Sequence, residues 1–137
     1  MAGTAKPTPA ILTPTAVALS TATLTPAWAM VSPVMPVWIP ASGRCLVTIS
    51  GNWTLGSNQV AGLNLLVNGN STNFTLWGGN VGTSGLFTSF SETVIITATV
   101  FGYTGVTPQA VNNFQVQGET NSLTAALIAG ALIVQPL

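Results

Sequence analysis

The last part of the chain is an uncharged run that is apolar whichever way it is read. Its sequence is SLTAALIAGALIV, over residues 122–134. Read with the two-residue period of a β-strand, both faces carry mainly Leu, Ile, Val and Ala. A strand with two apolar faces must be covered on both sides. One side can lie against the chain's own core, and we expect a second sheet or a second copy of the chain to cover the other.

Charged residues are almost absent from the chain. Lys6, Arg44, Glu92 and Glu119 are the only ones among 137 residues, or 3% against a typical share of about 25%. Thr, Ser and Asn, 40 residues together, must supply the polar surface instead. Such a surface repels other copies only weakly, so it tolerates close packing between subunits. A net charge of zero also argues against a nucleic-acid partner, which requires several Lys or Arg on one face.

The chain lacks the residues on which common enzyme sites depend. It contains no His, which excludes Ser–His and Cys–His pairs and His-ligated metals. Its single cysteine, Cys45, alternates with Val47 and Ile49 and is expected to be a small buried hydrophobe. Glu92 and Glu119 could in principle pair for glycoside hydrolysis, but nothing in the sequence brings them together. We therefore expect no enzyme activity, no cofactor and no metal.

Neither end of the chain is predicted to enter a membrane. The N-terminus carries one cation, but Pro7, Pro9 and Pro14 interrupt the apolar core that a signal peptide requires. The apolar C-terminal run is shorter than the roughly 20 residues of a spanning helix. We expect no membrane partner.

Residues 1–40 contain seven of the nine prolines, which exclude a long helix and a central strand there. The residues between the prolines are too apolar for a solvated linker. We predict an extended N-terminal arm over residues 1–25 and a single β domain over residues 26–137. Hydrophobic groups are expected to anchor the arm, either on its own domain or on a neighbouring subunit. The predicted anchors are Ile11, Leu12, Trp28 and Trp38.

From residue 42 onward the sequence has the pattern of β-strands. Apolar and polar residues alternate over 45–54, as in a strand with one buried face. Asn68-Gly69 is the strongest hairpin signal, because both residues tolerate positive φ. A glycine-rich loop is expected over 78–85, and further strands follow to the end of the chain. About eight strands with no helical period predict an antiparallel β-sandwich.

Three short segments resemble the jelly rolls of the tumour-necrosis-factor and complement-globular-head family: residues 39–48, 65–69 and 121–128. The resemblance covers about residues 37–130. It implies a jelly-roll-like sandwich that forms a compact trimer, with the sheet of the closing strand facing the threefold axis. The acidic turn of some members is replaced here, so their calcium and ligand contacts are not carried over. The trimer interface would contain Leu123, Ala125, Leu127, Ile128, Leu132 and Val134.

Modules of this kind also occur in bacteriophage virions as head decoration proteins, head fibres and tail-fibre tips. The chain resembles them in being short, free of His, nearly uncharged and provided with an apolar proline-rich arm. The resemblance implies a homotrimeric structural protein that decorates and cements the capsid exterior. Its partner would be the major capsid protein, and it would be made in the host cytoplasm. Such an assignment is an analogy, because a fold does not determine a function.

The alternative is a trimeric fibre tip or lectin-like module that binds a host-surface glycan. Trp53 is in phase with a core face and is expected to be structural. Trp77 and Tyr103 lie near loops rich in amides and are the predicted surface contacts.

Overall fold

The computed structural model describes residues 13–100, 102–121 and 125–137, without the side chains of residues 100 and 103. Within these residues all the regular secondary structure is β-strand. The strands are β1 (Thr15–Ala18), β2 (Ala22–Thr23), β3 (Ala29–Met30), β4 (Met35–Ile39), β5 (Cys45–Leu55), β6 (Gln59–Val67), β7 (Asn70–Asn80), β8 (Leu86–Ile96), β9 (Thr99–Val100), β10 (Tyr103–Thr104), β11 (Ala110–Thr120) and β12 (Ala126–Pro136).

The longer strands form two antiparallel sheets that pack face to face. Sheet 1 has the strand order β1-β12-β5-β8, and β2 also pairs with β12. Sheet 2 has the order β3-β11-β6-β7, and β4 also pairs with β11. β9 and β10 form a separate two-stranded ribbon. The prediction of an all-β antiparallel sandwich is confirmed, whereas the finer prediction of a jelly roll stays a prediction.

The core lies between the sheets and follows the alternation of the strands. On β5, Cys45, Val47 and Ile49 are 0% exposed, and the residues between them are half-buried. Trp53 continues this inner face at 1% exposure, as expected, and its ring contacts Phe90 with the centroids 4.6 Å apart. The largest buried side chain is therefore held between β5 and its neighbour β8.

The predicted hairpin forms between β6 and β7. Val67 pairs with Asn70, so Asn68 and Gly69 are the two turn residues, with φ values of 52° and 79°. Positive φ at both positions is the geometry that a two-residue hairpin turn requires. The local sequence signal and the backbone agree here.

Buried amides satisfy loop backbone where a more highly charged protein could use ion pairs. Asn112 is 0% exposed; it accepts a hydrogen bond from the Thr107 amide at 2.7 Å and donates one to the Thr107 carbonyl at 2.8 Å. Asn80 donates to the carbonyls of Leu55 at 3.2 Å and of Ser84 at 2.8 Å. Such bonds satisfy groups that are costly to bury unpaired.

β12 is a strand, as predicted, but its two faces are not the ones that a strict two-residue period gives. Leu127 pairs with Trp53 and Ala129 pairs with Asn52, so one extra residue, Ile128, is inserted opposite β5. Such a bulge changes which alternate residues face inward. Inward residues therefore fall at 125 and 127 before the bulge, and at 132 and 134 after it.

The bulge corrects the predicted trimer interface. Four of its residues belong to the chain's own core and have no exposed surface for another subunit: Ala125, Leu127, Leu132 and Val134. Ile128, at the bulge, is 39% exposed. Leu123 lies outside the described residues. The outer face of β12 carries the half-buried Ala126, Ala131 and Ile133, so its side chains are on the whole smaller than the sequence pattern suggested.

The N-terminal region also differs from the prediction where it is described. β1 pairs with β12 from Thr15 to Ala18, and Leu19 and Leu24 are buried at 5% and 2% exposure. Residues 13–25 are therefore part of the sandwich, because they cover the edge of sheet 1 beside β12. Ile11 and Leu12 lie outside the described residues.

Trp28 and Trp38, the other predicted anchors, lie on the surface at 38% and 55% exposure. The pairing of Trp38 with Val111 explains its position, because it alternates with the buried Val37 and Ile39 and so points outward from β4. Neither indole is buried in a groove of its own domain, and their contact with a neighbouring subunit stays a prediction.

Gly78 and Gly79 provide a matched test of the core. A Cβ on Gly78 would overlap the buried Trp53 ring, whereas a Cβ on Gly79 has nothing within 4 Å. We expect Gly78→Ala to lower the free energy of unfolding by about 1–3 kcal/mol. Gly79→Ala should change it by less than about 0.5 kcal/mol. Urea unfolding followed by tryptophan fluorescence measures both, and equal losses would contradict the packing of Gly78 beneath Trp53.

Candidate functional site

The structure keeps the two glutamates apart. Glu92 lies on β8 of sheet 1 and pairs with Ile49, so its side chain is on the inner face at the edge of the sandwich. Glu119 lies on β11 of sheet 2, between the inward Gly118 and Thr120, and faces outward. Carboxylates on opposite faces of different sheets do not form the pair that glycoside hydrolysis uses. The described residues also contain no group of three or more His, Cys, Asp and Glu side chains that could hold a metal.

Cys45 is enclosed by the core. Its side chain is 0% exposed, and burial raises the pKa of the thiol from 9.0 to about 12. Burial disfavours the thiolate because the charged form loses its water. The thiolate is the reactive form of cysteine, so this residue is placed for packing and not for nucleophilic attack.

The sandwich is open along one side, between β7 and β8. We call this opening the edge cleft. It has a volume of about 770 Å³. β7 pairs with β6, and β8 pairs with β5, and neither has a second neighbour in its sheet among the described residues. The cleft is lined by Asn73, Phe74, Thr75, Leu76, Trp77, Ser89, Phe90, Ser91 and Glu92.

β8 carries exposed hydrophobic residues along this open side. Leu86, Phe87 and Ile95 are 42%, 61% and 48% exposed. Glu92 is the strand's one charge, and it points towards the cleft. An inward charge on an edge strand is one of the ways in which proteins discourage strand-to-strand association.

The outer face of sheet 2 carries a second feature, a pair of tryptophans above a glycine. Gly62 on β6 pairs with Trp77 on one side and with Glu119 on the other. A Cβ at position 62 would lie 2.6 Å from the Trp77 ring, so the ring lies across the strand in space that only a glycine leaves free. The ring is nevertheless 58% exposed, because its other face points to solvent.

Trp28 completes the pair from the opposite side. Ala29 pairs with Gly118, which brings the preceding residue, Trp28, beside Glu119. The rings of Trp28 and Trp77 meet with centroids 6.0 Å apart and planes inclined at 61°. We call Trp28, Trp77 and Glu119, with Gly62 beneath them, the indole site.

A small cavity of about 270 Å³ opens beside Trp77 and Glu119 of the indole site, and Trp28 does not line it; the rest of its lining is Pro26, Val60, Thr120 and Asn121. Most of its polar groups bind the protein itself. Thr120 donates a hydrogen bond to the Val60 carbonyl at 3.0 Å, and its hydroxyl accepts one from Gln59 at 2.8 Å. The Asn121 side chain accepts a bond from the Val60 amide at 2.9 Å and donates to the Asn58 carbonyl at 3.3 Å.

Glu119 is the exception among these polar groups. Its side chain is half-buried, and within the part of the chain that the structure describes no hydrogen bond or ion pair engages its carboxylate. The one cation in that part is Arg44, which lies beside the C-terminus, where its carbonyl accepts a bond from the Leu137 amide. The site therefore combines two exposed indoles with one carboxylate.

The predicted surface contacts have different outcomes. The structure places Trp77 at the surface, in the indole site. The side chain of Tyr103 is outside the described residues. The contact between Trp28 and Trp77 was missed from the sequence, because the two residues meet only through the register of β3, β11, β6 and β7. The one sequence signal that could have indicated it is the lone glycine at position 62 within an otherwise apolar strand.

Comparisons with protein-family models, with curated proteins and with solved structures found no match to this chain. In the described residues there is no helix of the length and hydropathy needed to cross a bilayer. The surfaces of the sandwich are therefore the features that bear on function.

The buried thiol makes stability depend on alkaline pH. Because the folded pKa is raised, the stabilisation is complete below the unfolded value of 9.0 and is lost as the pH rises towards about 12. The unfolded state releases its proton first, so the free energy of unfolding should fall by about 1.4 kcal/mol per pH unit above about pH 9. Urea titrations across this range measure the slope, and Cys45→Ala should lack this contribution. An equal slope in the two proteins would contradict the assignment.

Proposed function

We propose that the protein is a structural subunit that assembles with copies of itself as a homotrimer. In this proposal the trimer decorates the outside of a bacteriophage capsid and cements it by binding the major capsid protein. It would be made in the host cytoplasm and then join the virion. The observation that carries the proposal is the uncharged outer face of sheet 1, with Phe87 and Ile95 exposed on its edge strand β8.

β8 has the features of a surface that another chain covers. It is 11 residues long and has a free edge among the described residues. Glu92 on its inward face discourages another strand from pairing with this edge, so the proposed contact uses the outward face of β8. Phe87 and Ile95 point outward from this strand with about half or more of their surface exposed.

The uncharged surface continues from β8 onto the outer face of sheet 1. Ile95 pairs with Leu46 on β5, and Thr48 on the same strand pairs with Ile133 on β12. The outward residues of this face are Ala, Leu, Ile, Phe, Ser, Thr, Asn and Gln, without a charge in the described part. Burying such a face needs no desolvation of ions, but its hydroxyl and amide groups must find hydrogen-bond partners in the contact.

An uncharged surface of this kind suits a subunit that cements a shell. A stable interface buries about 1,200–2,000 Å² in total, and apolar area contributes about 25 cal/mol per Å². With four charges in 137 residues, the contacts would depend little on salt. A subunit of this type stabilises a shell by adding contacts between its neighbours.

Substitutions on β8 test the assembly. Phe87→Lys and Ile95→Lys place a charge in the proposed contact and should convert the trimer to a monomer at micromolar concentration. Val81→Lys is the matched control, because Val81 is 94% exposed in the loop before β8. Native mass spectrometry gives the oligomeric state, and thermal unfolding checks that the monomers are folded. A monomeric wild type would contradict the proposal.

Capsids test the decorating role separately. Purified protein added to capsids that lack it should bind in a saturable way and raise the temperature at which the shells open. Val81→Lys should do the same, whereas Phe87→Lys should not. A trimer that does not bind capsids would leave the subunit role in place and remove the virion role.

The second candidate is a module that binds a host-surface glycan. The exposed Trp77 ring, paired with Trp28, favours it, because indole faces stack on the C–H faces of sugars. A glycan array should then show binding that Trp77→Ala abolishes and that Trp38→Ala leaves unchanged. An array on which the wild type binds nothing would remove this candidate.

A further inference from the structure

We propose that the indole site binds a methylated ammonium group of the choline type. The inference assigns a different ligand to the surface of the second candidate function, with which it shares Trp77, and it is independent of the assembly proposal. It rests on the chemistry of Trp28, Trp77 and Glu119 taken together.

The two indoles supply the first requirement. The face of an aromatic ring is negative, and Trp is the ring that attracts cations most strongly, with about 0.5–2 kcal/mol per contact. Trp28 and Trp77 are held at 61° to each other, 6.0 Å apart, so the pair presents aromatic surface in two directions. Quaternary ammonium groups are the ligands for which proteins commonly use such arrangements.

The carboxylate supplies the second requirement. Glu119 is half-buried, lies opposite Trp28 by register and pairs with Gly62, on which Trp77 lies; no hydrogen bond or ion pair within the described residues engages its carboxylate. An anion that is partly removed from water attracts a nearby cation more strongly than a fully hydrated anion does. A methylated ammonium is weakly hydrated, so it can approach the indoles and the carboxylate together.

The other polar groups of the site are already hydrogen-bonded within the protein, which favours an ammonium ligand over a sugar. A sugar needs several donors and acceptors around its hydroxyls, and the side chains of Thr120 and Asn121 already bind Val60, Gln59 and Asn58. A trimethylammonium group donates no hydrogen bond and accepts none. It therefore requires only what the site leaves available, which is aromatic surface and one negative charge.

The site is also fixed before any ligand arrives. Trp77 lies on Gly62, and Trp28, at the opposite edge of the same sheet face, contacts Trp77. Rings held by packing lose little freedom on binding, which improves affinity. The cavity of about 270 Å³ is slightly smaller than the roughly 300–1,000 Å³ of pockets for drug-sized ligands, and this size suits a compact headgroup.

A purely structural role makes a different prediction. Aromatic residues can cover a strand glycine and stabilise the sheet, and Trp77 covers Gly62 in this way. That role requires the ring, but it does not require Glu119 and gives no preference for cations. A preference for a charged ligand over a neutral one therefore distinguishes a binding site from a purely structural role.

The experiment titrates the full chain with choline and with its neutral isostere 3,3-dimethylbutan-1-ol, following the NMR signals of the indole N–H groups. We expect saturable binding of choline and at least about 10-fold weaker binding of the isostere, which corresponds to about 1.4 kcal/mol. Phosphocholine should bind through the same group, and comparing its affinity with that of choline distinguishes a free ligand from a phosphate-linked headgroup. Equal affinity for choline and its isostere would overturn the proposal.

Variants locate the site. Glu119→Gln keeps the shape of the side chain and should weaken choline binding by about 5-fold or more, with little change in the isostere. Trp28→Ala and Trp77→Ala should abolish binding, and Trp38→Ala, at the exposed indole on β4, should not change it. Unchanged binding in Glu119→Gln would overturn the proposal, whatever the tryptophan variants do to stability.

A parallel titration with sugars separates this proposal from the glycan module, which uses the same Trp77. Methyl pyranosides are titrated in parallel with choline. Binding of a pyranoside without binding of choline would overturn the ammonium site and support the glycan module. If neither ligand shifts an indole signal at millimolar concentration, both fail at this site.

Discussion

The pairing of β12 with β5 is the interaction on which the rest of the sandwich depends. These two strands form the centre of sheet 1, with ten paired positions from Ala126↔Thr54 to Pro136↔Cys45. β1 and β2 pair with the other edge of β12, and β8 pairs with the other edge of β5. The bulge at Ile128 keeps Leu127 and Leu132 on the same inner face, although they are five residues apart. Without it, one half of β12 would turn its large residues away from sheet 2.

Local sequence patterns predicted those elements whose conformation is determined by residues adjacent in the sequence. The turn at Asn68-Gly69 depends on two adjacent residues that tolerate positive φ, and the alternation of β5 depends on one strand facing one core. The same reasoning failed where a distant residue decides the outcome. The run 78–85 has the composition of a loop, yet β7 continues to Asn80 because Gly78 fits beneath Trp53. On β12 the two-residue period assigned the wrong faces, because no residue type in the sequence indicates the bulge.

The candidate site was less predictable than the fold, because its residues are brought together only by the register of strand pairing. Trp77 was identified as a surface residue from its position after the hairpin. Its partner Trp28 was assigned to the arm, 49 positions earlier in the sequence, and Glu119 was treated as a solvated acid. These three residues come together only because Gly62 pairs with both Glu119 and Trp77, and because β3 adds to the far edge of β11. Such a constellation follows from sheet order, and sheet order cannot be read from local patterns.

The position of Glu92 bears on the kind of assembly that β8 can form. Its carboxylate points into the edge cleft between Phe90 and Val94, where it keeps contact with water. If a second strand paired with β8 and extended the sandwich, the cleft would close and an unpaired charge would be buried, at a cost of several kcal/mol. Contact through Phe87, Ile95 and the outer face of sheet 1 leaves Glu92 hydrated. One inward charge therefore opposes open-ended edge pairing and favours closed association through the face of the sheet.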